Sequence, residues 1–194
     1  MGRHSWRLIL KKQMRNTLRF LLALAVSLAL LLVFRTLALT IYIVEGEGLE
    51  PEFVAGDHVM VSRWSYGLRT GGAGSIFPYG RLLHRQVSRG DIVAYEDPTD
   101  STARRVLLGR CQALPGDTVG HDGRMVLVPS LQSCADADYY WIAALGSNNP
   151  TDSRQLGFIS EQRIIGRTFL VVYNHAADAP FWRGWRTDRL LIGK

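Results

Sequence analysis

The side chains able to do chemistry in this 194-residue chain are few and unevenly placed. Beyond Lys12 the one lysine is Lys194, the final residue, so an amine base has almost nowhere to come from. His58 sits inside a Gly-Asp-x-Val turn, and His84, His121 and His175 fall in expected loops or at a hairpin tip. Arg104, Arg105 and Arg110 stay charged at any working pH and cannot serve as bases. Glu45, Glu47, Glu50 and Glu52 form an acidic cluster. Paired carboxylates can run acid–base hydrolysis, but nothing nearby supplies a substrate logic. The cluster reads as a solvated rim, or as an acidic surface for a basic or cation-bearing partner. Cys111 and Cys134 with His121 match no zinc spacing and lack a fourth ligand, so neither a metal nor a cofactor is expected. Arg89-Gly90-Asp91 runs straight into a strand and reads as a turn, not as an adhesion tripeptide.

The elements that must position these residues are short. Thr40 to Val44, His58 to Val61, Ile92 to Tyr95, Arg124 to Val128, Tyr139 to Ala144 and the end of Glu161 to Tyr173 are β-branched and aromatic. Phe53-Val54-Ala55 reads as a further strand piece, and Ala103 to Leu114 as a strand on each side of a Gly109 kink. Turns separate them. Leu114-Pro115-Gly116-Asp117 has the residues of a type II turn, and Asp122-Gly123 those of a hairpin tip. Residues 70–80, TGGAGSIFPYG, read as a mobile loop. This spacing predicts a mainly β domain built from several small antiparallel sheets.

The charge is lopsided. Seven of the 23 basic residues lie in 1–35 with no acid among them, so the other 16 face all 17 acidic residues. The remainder is near neutral and offers no basic stripe for nucleic acid. Basic residues followed by an apolar run, Phe20 to Phe34, describe a chain entering a membrane from the cytoplasm. Fifteen residues span about 22 Å, short of the roughly 30 Å hydrocarbon core. A cleavable signal peptide has an apolar run of this length, but no clean Ala-x-Ala site follows. The expected division is therefore a cytoplasmic segment 1–17, a transmembrane helix 18–39 with Arg19 and Arg35 at the interfaces, and an extracytoplasmic domain 40–194. In that compartment Cys111 and Cys134 can form a disulfide, or stay as two buried thiols.

The order of these blocks resembles the bacterial type I signal peptidases, membrane-anchored serine endopeptidases of the cytoplasmic membrane. Gly56-Asp57-His58-Val59-Met60-Val61 and Ser65-Tyr66-Gly67-Leu68-Arg69 match the family's Gly-Asp-x-Val-x-Val and aromatic-Tyr-Gly-Leu-Arg segments. Arg89 to Val93 matches its Arg-Gly-Asp-Ile-Val block, and Gly109 to Asp117 its Lys-Arg-Val-Ile-Gly-Leu-Pro-Gly-Asp block. Asp152 to Ile159 matches its Asp-Ser-Arg-x-x-Gly-Phe-Val block.

The family's chemistry needs a serine nucleophile, a lysine kept neutral by burial as general base, and donors for the oxyanion. The resemblance, aligned on Pro51, puts Gly48 at the nucleophile and Gly46 at the oxyanion serine. It puts Gly109 at the lysine and Pro150 at the serine that supports it. Pro51, Gly56, Asp57, Arg110, Pro115, Gly116, Asp117, Asp152, Ser153 and Arg154 are retained. The resemblance thus implies the signal-peptidase fold on one membrane helix, without the means to cleave. The expected role is a pseudo-peptidase that binds an extended segment of an exported pre-protein, or a partner in secretion or surface assembly. Two other readings stand: an active signal peptidase with a rebuilt site, and an anchored spacer.

Overall fold

The computed structural model describes residues 3–45, 49–71, 78–100, 105–133, 135–146, 151–175, 185–186, 188 and 192–193, the side chains of 3–15, 33–37 and 192–193 excepted. The chain divides into two units, Met1–Leu37 and Ala38–Lys194.

The first unit is helix α1, Arg3–Ala38, 36 residues without proline. From Leu18 to Leu32 its leucines, Phe20 and Val26 are exposed. A helix apolar all round has no face to bury in a water-facing core. Among the described residues, no helix is long and apolar enough to cross a membrane; of the expected span 18–39, residues 18–38 are helical and Leu39 opens the first strand.

The second unit is mainly β. Its strands are β1 (Leu39–Ile43), β2 (Asp57–Ser62), β3 (Leu68–Thr70), β4 (Gly80–Leu82), β5 (Ile92–Glu96), β6 (Val106–Ala113), β7 (Thr118–His121) and β8 (Arg124–Leu127). After these come β9 (Tyr139–Ala143), a one-turn helix α2 (Ser153–Leu156), β10 (Ile159–Ser160), β11 (Ile164–His175), β12 (Trp185–Arg186) and β13 (Ile192–Gly193). The expected set of several small sheets is corrected: nine strands join one antiparallel sheet in the order β1-β2-β11-β5-β6-β9-β10, with β12 and β13 also on β11, beside hairpins β3–β4 and β7–β8. The cause is the length of β11. Its 12 residues ladder with β5 near Ile164–Arg167 and with β2 from Arg167 to Asn174, and carry the tail strands on residues 170–175.

Alternation along these strands feeds two apolar layers. Ile92 and Ala94 join Val44, Phe53, Val59, Val61, Leu108 and Val171 in one cluster, while Val93 and Tyr95 join Cys111, Tyr140, Ile142, Ile159 and Ile164 in another. A strand covered on both faces reads as an unbroken apolar run, and Ile92-Val93-Ala94-Tyr95 does. Phe53-Val54-Ala55 is a turn, not a strand, although Phe53 itself is fully buried. Nor does Gly109 kink the chain: β6 passes through it, and the irregularity falls instead between Cys111 and Ala113. The two turn readings hold. Asp117 N–H donates to the Leu114 carbonyl at 3.0 Å with Gly116 at φ +87°, and Asp122 and Gly123 at the hairpin tip have φ of 50° and 72°.

Candidate active site

Gly46, Glu47, Gly48 and Pro150 lie outside the described residues. On the far side of Gly48, Leu49 packs against the first apolar cluster and Phe53 N–H donates to its carbonyl at 3.1 Å. Pro51 is exposed. The loop ends in a knot made by Gly56 and Asp57. Asp57 is fully buried and accepts from Val54 N–H at 2.8 Å and from the Asn174 amide at 2.8 Å. Gly56, at φ +86°, lies against β11 so closely that a β-carbon would stand 2.3 Å from the His175 carbonyl oxygen. Only glycine fits there.

Gly109 is buried in β6, opposite Val93 of β5. A β-carbon on it would lie 2.5 Å from Ile142 Cγ2 and 2.8 Å from the Ala143 carbonyl oxygen, both on the neighbouring strand β9. Strand β9 therefore fills the space through which a side chain at 109 would leave the backbone. The next residue, Arg110, is ion-paired with Glu52 and donates to the Gly90 carbonyl at 3.2 Å. Glu52 is thus half-buried in an ion pair, whereas Glu45 and Glu50 of the same acidic cluster are exposed. Sequence reasoning missed the Arg110–Glu52 pair and the closure of Ile142 and Ala143 over Gly109. The adjacency of Gly109 to a β-rich apolar run was the available signal, but which strand lies beside it is a tertiary fact.

The other retained residues bind backbone. Asp117 accepts from Leu114 N–H at 2.6 Å and from the Arg89 guanidinium at 2.7 Å across the Pro115-Gly116 turn. Asp152 caps α2, accepting from Arg154 N–H at 2.9 Å, and also accepts from Ala144 N–H at 3.0 Å. Arg154 folds back onto the same carboxylate at 2.8 Å. Burial pushes the Asp152 carboxyl up, but the hydrogen bonds from the Arg154 guanidinium and from the Ala144 and Arg154 N–H groups outweigh it and hold the group below its ordinary range. The Ser153 hydroxyl, fully buried, accepts from Ile142 N–H at 2.9 Å. Strand β10 pairs only with Tyr139 and Tyr140 of β9, so Asp152 and Ser153 serve as side-chain substitutes for a strand along the rest of that edge.

The histidines are dispersed. His58 donates from Nδ1 to the Gly56 carbonyl at 3.1 Å and stacks on Tyr173 with ring centroids 4.0 Å apart. His84 meets Glu161 at 3.0 Å, His121 packs edge-on to Trp141, and His175 does so to Trp185. The described residues hold no group of three His, Cys, Asp or Glu side chains placed for a metal ion. Cys111 is a buried free thiol donating to the Ala113 carbonyl at 3.7 Å, and burial, with Asp91 nearby, pushes its pKa up to about 12. Cys134 lies outside the described residues. Within Arg89-Gly90-Asp91 the aspartate accepts from the Tyr66 hydroxyl at 2.9 Å and pairs with Arg167 at 3.3 Å, which makes the tripeptide a structural turn. Near the end of the chain Trp185 and Arg186 pair with His175 and Asn174 of β11, and 181–184 lie outside the described residues.

A family model described as "Signal peptidase, peptidase S26" matches residues 17–130. The chain belongs to this family. Comparison with curated proteins finds no significant match. The matched region includes residues 46–53, the Gly56-Asp57 knot, strand β6 with Gly109 and Arg110, and the Pro115-Gly116-Asp117 turn. The Asp152-Ser153-Arg154 segment lies beyond the matched region. In this signal peptidase relative, Asp57, Arg110, Asp117, Asp152 and Ser153 of the matching motifs hold turns and strand ends through hydrogen bonds and ion pairs.

Proposed function

We propose that this member of the signal peptidase family is a catalytically inactive, membrane-anchored pseudo-peptidase that holds an extended segment of an exported client or of a secretion partner. The observation that carries the reading is the crowding at Gly109, where a β-carbon would fall 2.5 Å from Ile142 Cγ2. A general base at this position needs a side chain, and the neighbouring strand occupies its path. The scarcity of lysine supports the same reading, since Lys194 is the one lysine beyond Lys12.

The binding half rests on β1. Among the described residues β1 pairs with β2 alone, which leaves its outer edge open, and Leu39, Ile41 and Ile43 are exposed along it. An open apolar edge is a template for an added strand, whose main-chain hydrogen bonds supply affinity without chemistry. Anchoring through α1 is supported by its basic start and its exposed apolar run, and it places 40–194 outside the cytoplasmic membrane.

The test is cleavage of a purified pre-protein by the full chain in detergent, with a photo-crosslinker at Ile41 in a parallel sample. The expected result is no cleavage and a client crosslink. Reproducible cleavage that disappears on changing one Ser or His refutes inactivity. A chain that neither cleaves nor crosslinks is a spacer.

A further inference from the structure

The first apolar layer ends in a polar rim where two arginines hold hydrogen-bond donors with no acceptor. In the β1–β2 register Tyr42 stands opposite Val59 and Thr40 opposite Val61, and Tyr42 packs on the cluster that the two valines help to form. Arg63 comes two residues after Val61, and its N–H donates to the Ala38 carbonyl at 2.9 Å. On β5, Ile92 and Ala94 belong to the same cluster and Glu96 lies two residues on. Residues two apart along a strand share a face, so Arg63 and Glu96 extend that face past its apolar part. Strands β2 and β5 both run antiparallel to β11, which brings the two residues to the same end. Between them lies Gly166 of β11, paired with Ala94, where a β-carbon would stand 3.0 Å from Arg63 Cα. Arg69 of β3 reaches the same rim and donates to Glu96 from Nη1 at 2.7 Å and from Nη2 at 3.2 Å.

Glu96 is thereby occupied at both oxygens. The Arg69 side chain is only 9% exposed, and its Nε–H is buried without an acceptor, as is the Nε–H of Arg63. Among the described residues Arg63 forms no ion pair. The charges act at the Tyr42 hydroxyl: burial, the largest influence, raises its pKa, Arg63 and Arg69 pull it down, and Glu96 pushes it up. Two guanidiniums against one carboxylate leave an excess of one positive charge. Buried donors with no acceptor are rare because they are costly, and a bound anion removes the cost.

We infer that Arg63, Arg69 and Tyr42 form a site for the carboxylate of a peptide ligand, carried by its chain end or by an Asp or Glu side chain. A single excess charge matches a monoanion, and Glu96 beside the site repels a doubly charged phosphate monoester. Guanidinium N–H pairs match the two coplanar oxygens of a carboxylate, and a flat group enters a packed rim more easily than a tetrahedral diester. The inference is independent of the inactive-peptidase reading, since it needs neither a lost nucleophile nor strand addition at β1.

The experiment follows the unfolding midpoint of the full chain in mild detergent at pH 7, with sodium acetate titrated against sodium chloride at equal ionic strength. Acetate is expected to raise the midpoint saturably, by about 3–6 °C at ten times its Kd. Arg63→Gln breaks no ion pair and keeps the general salt effect of acetate, so it should lose only the saturable rise. An equal rise in both proteins, or none in the parent, overturns the site. Dimethyl phosphate, a tetrahedral monoanion, is expected to give a small part of the acetate effect, and an equal effect overturns the assignment to a carboxylate. Two short peptides separate the sources: Ac-Val-Ala-Val with a free carboxyl end, and Ac-Val-Asp-Val with an amidated one. One of them should act at a concentration at least tenfold below acetate, and if neither does the ligand is not a peptide.

Discussion

Placing a methyl group on Gly109 measures how firmly β9 packs on β6 there, and so tests the proposed loss of a general base at this position. The β-carbon of Gly109→Ala would stand 2.5 Å from Ile142 Cγ2 and 2.8 Å from the Ala143 carbonyl oxygen, inside the ordinary contact distance on both counts. Overpacking of this kind costs about 1–3 kcal/mol, against which a strand gains about 0.5–1 kcal/mol from losing a glycine. The net expectation is a loss of about 1–2 kcal/mol. Gly120, in β7, is the internal control, because its β-carbon would meet nothing nearer than Met125 Sδ at 3.9 Å. Gly120→Ala should therefore be neutral or stabilising by up to about 1 kcal/mol. Ile142→Ala removes Cγ2 at a cost of about 2–5 kcal/mol for its own cavity. Combined with Gly109→Ala it should cost less than the sum, with a coupling of about 0.5–3 kcal/mol. Urea unfolding of the full chain in mild detergent, followed by near-UV circular dichroism, gives all four values. If Gly109→Ala is as harmless as Gly120→Ala, or if the double variant is simply additive, β9 does not block the position. In that case Gly48→Ser with Gly109→Lys should regain cleavage without any change at Ile142.

Asp152 makes stability pH-dependent. Its folded pKa lies below the ordinary 3.8, so its contribution is in full above the unfolded value and is lost as pH falls from there through the folded one. Asp152→Asn should flatten that acidic limb of the stability curve, read from unfolding midpoints between neutral and acid pH. Cys111, buried with a thiol pushed up to about 12, should react with a thiol reagent only when the domain is unfolded. Mass spectrometry of a pulse-labelled native sample should find Cys111 unmodified, and rapid native labelling contradicts the burial.

The sequence was most legible where local chemistry decides. Asp122-Gly123 and Pro115-Gly116 set their turns with no help from distant residues, and the unbroken apolar run at Ile92 to Tyr95 marks a strand buried on both faces. It was least legible where a choice depends on a neighbour far along the chain. Nothing in Ile164 to His175 says that four other strands will share its two edges, so the sheet appeared as several small ones. Phe53 is apolar because it fills the core from a turn, a distinction that β propensity does not make. The same limit applied at the site. Glycine at 109 is readable as a missing lysine, but its contact with Ile142, 33 residues on, is not.

Motif retention in this chain is better explained by what the residues hold than by what the family does. Asp57 anchors the Val54 turn and Asn174, Asp117 anchors Leu114 and Arg89, and Asp152 with Ser153 satisfies the Ile142, Ala144 and Arg154 N–H groups. Leaving a buried donor among these unpaired, such as Ile142 N–H or the Asn174 amide, costs about 1–3 kcal/mol, a large share of the margin by which a domain of this size is stable. Such residues persist under selection for folding alone. Gly109 has a structural consequence of its own, because without a side chain there β9 packs directly on β6. A scaffold match in this family is consequently evidence about architecture. Evidence about cleavage has to come from the side chain at 109 and the room around it.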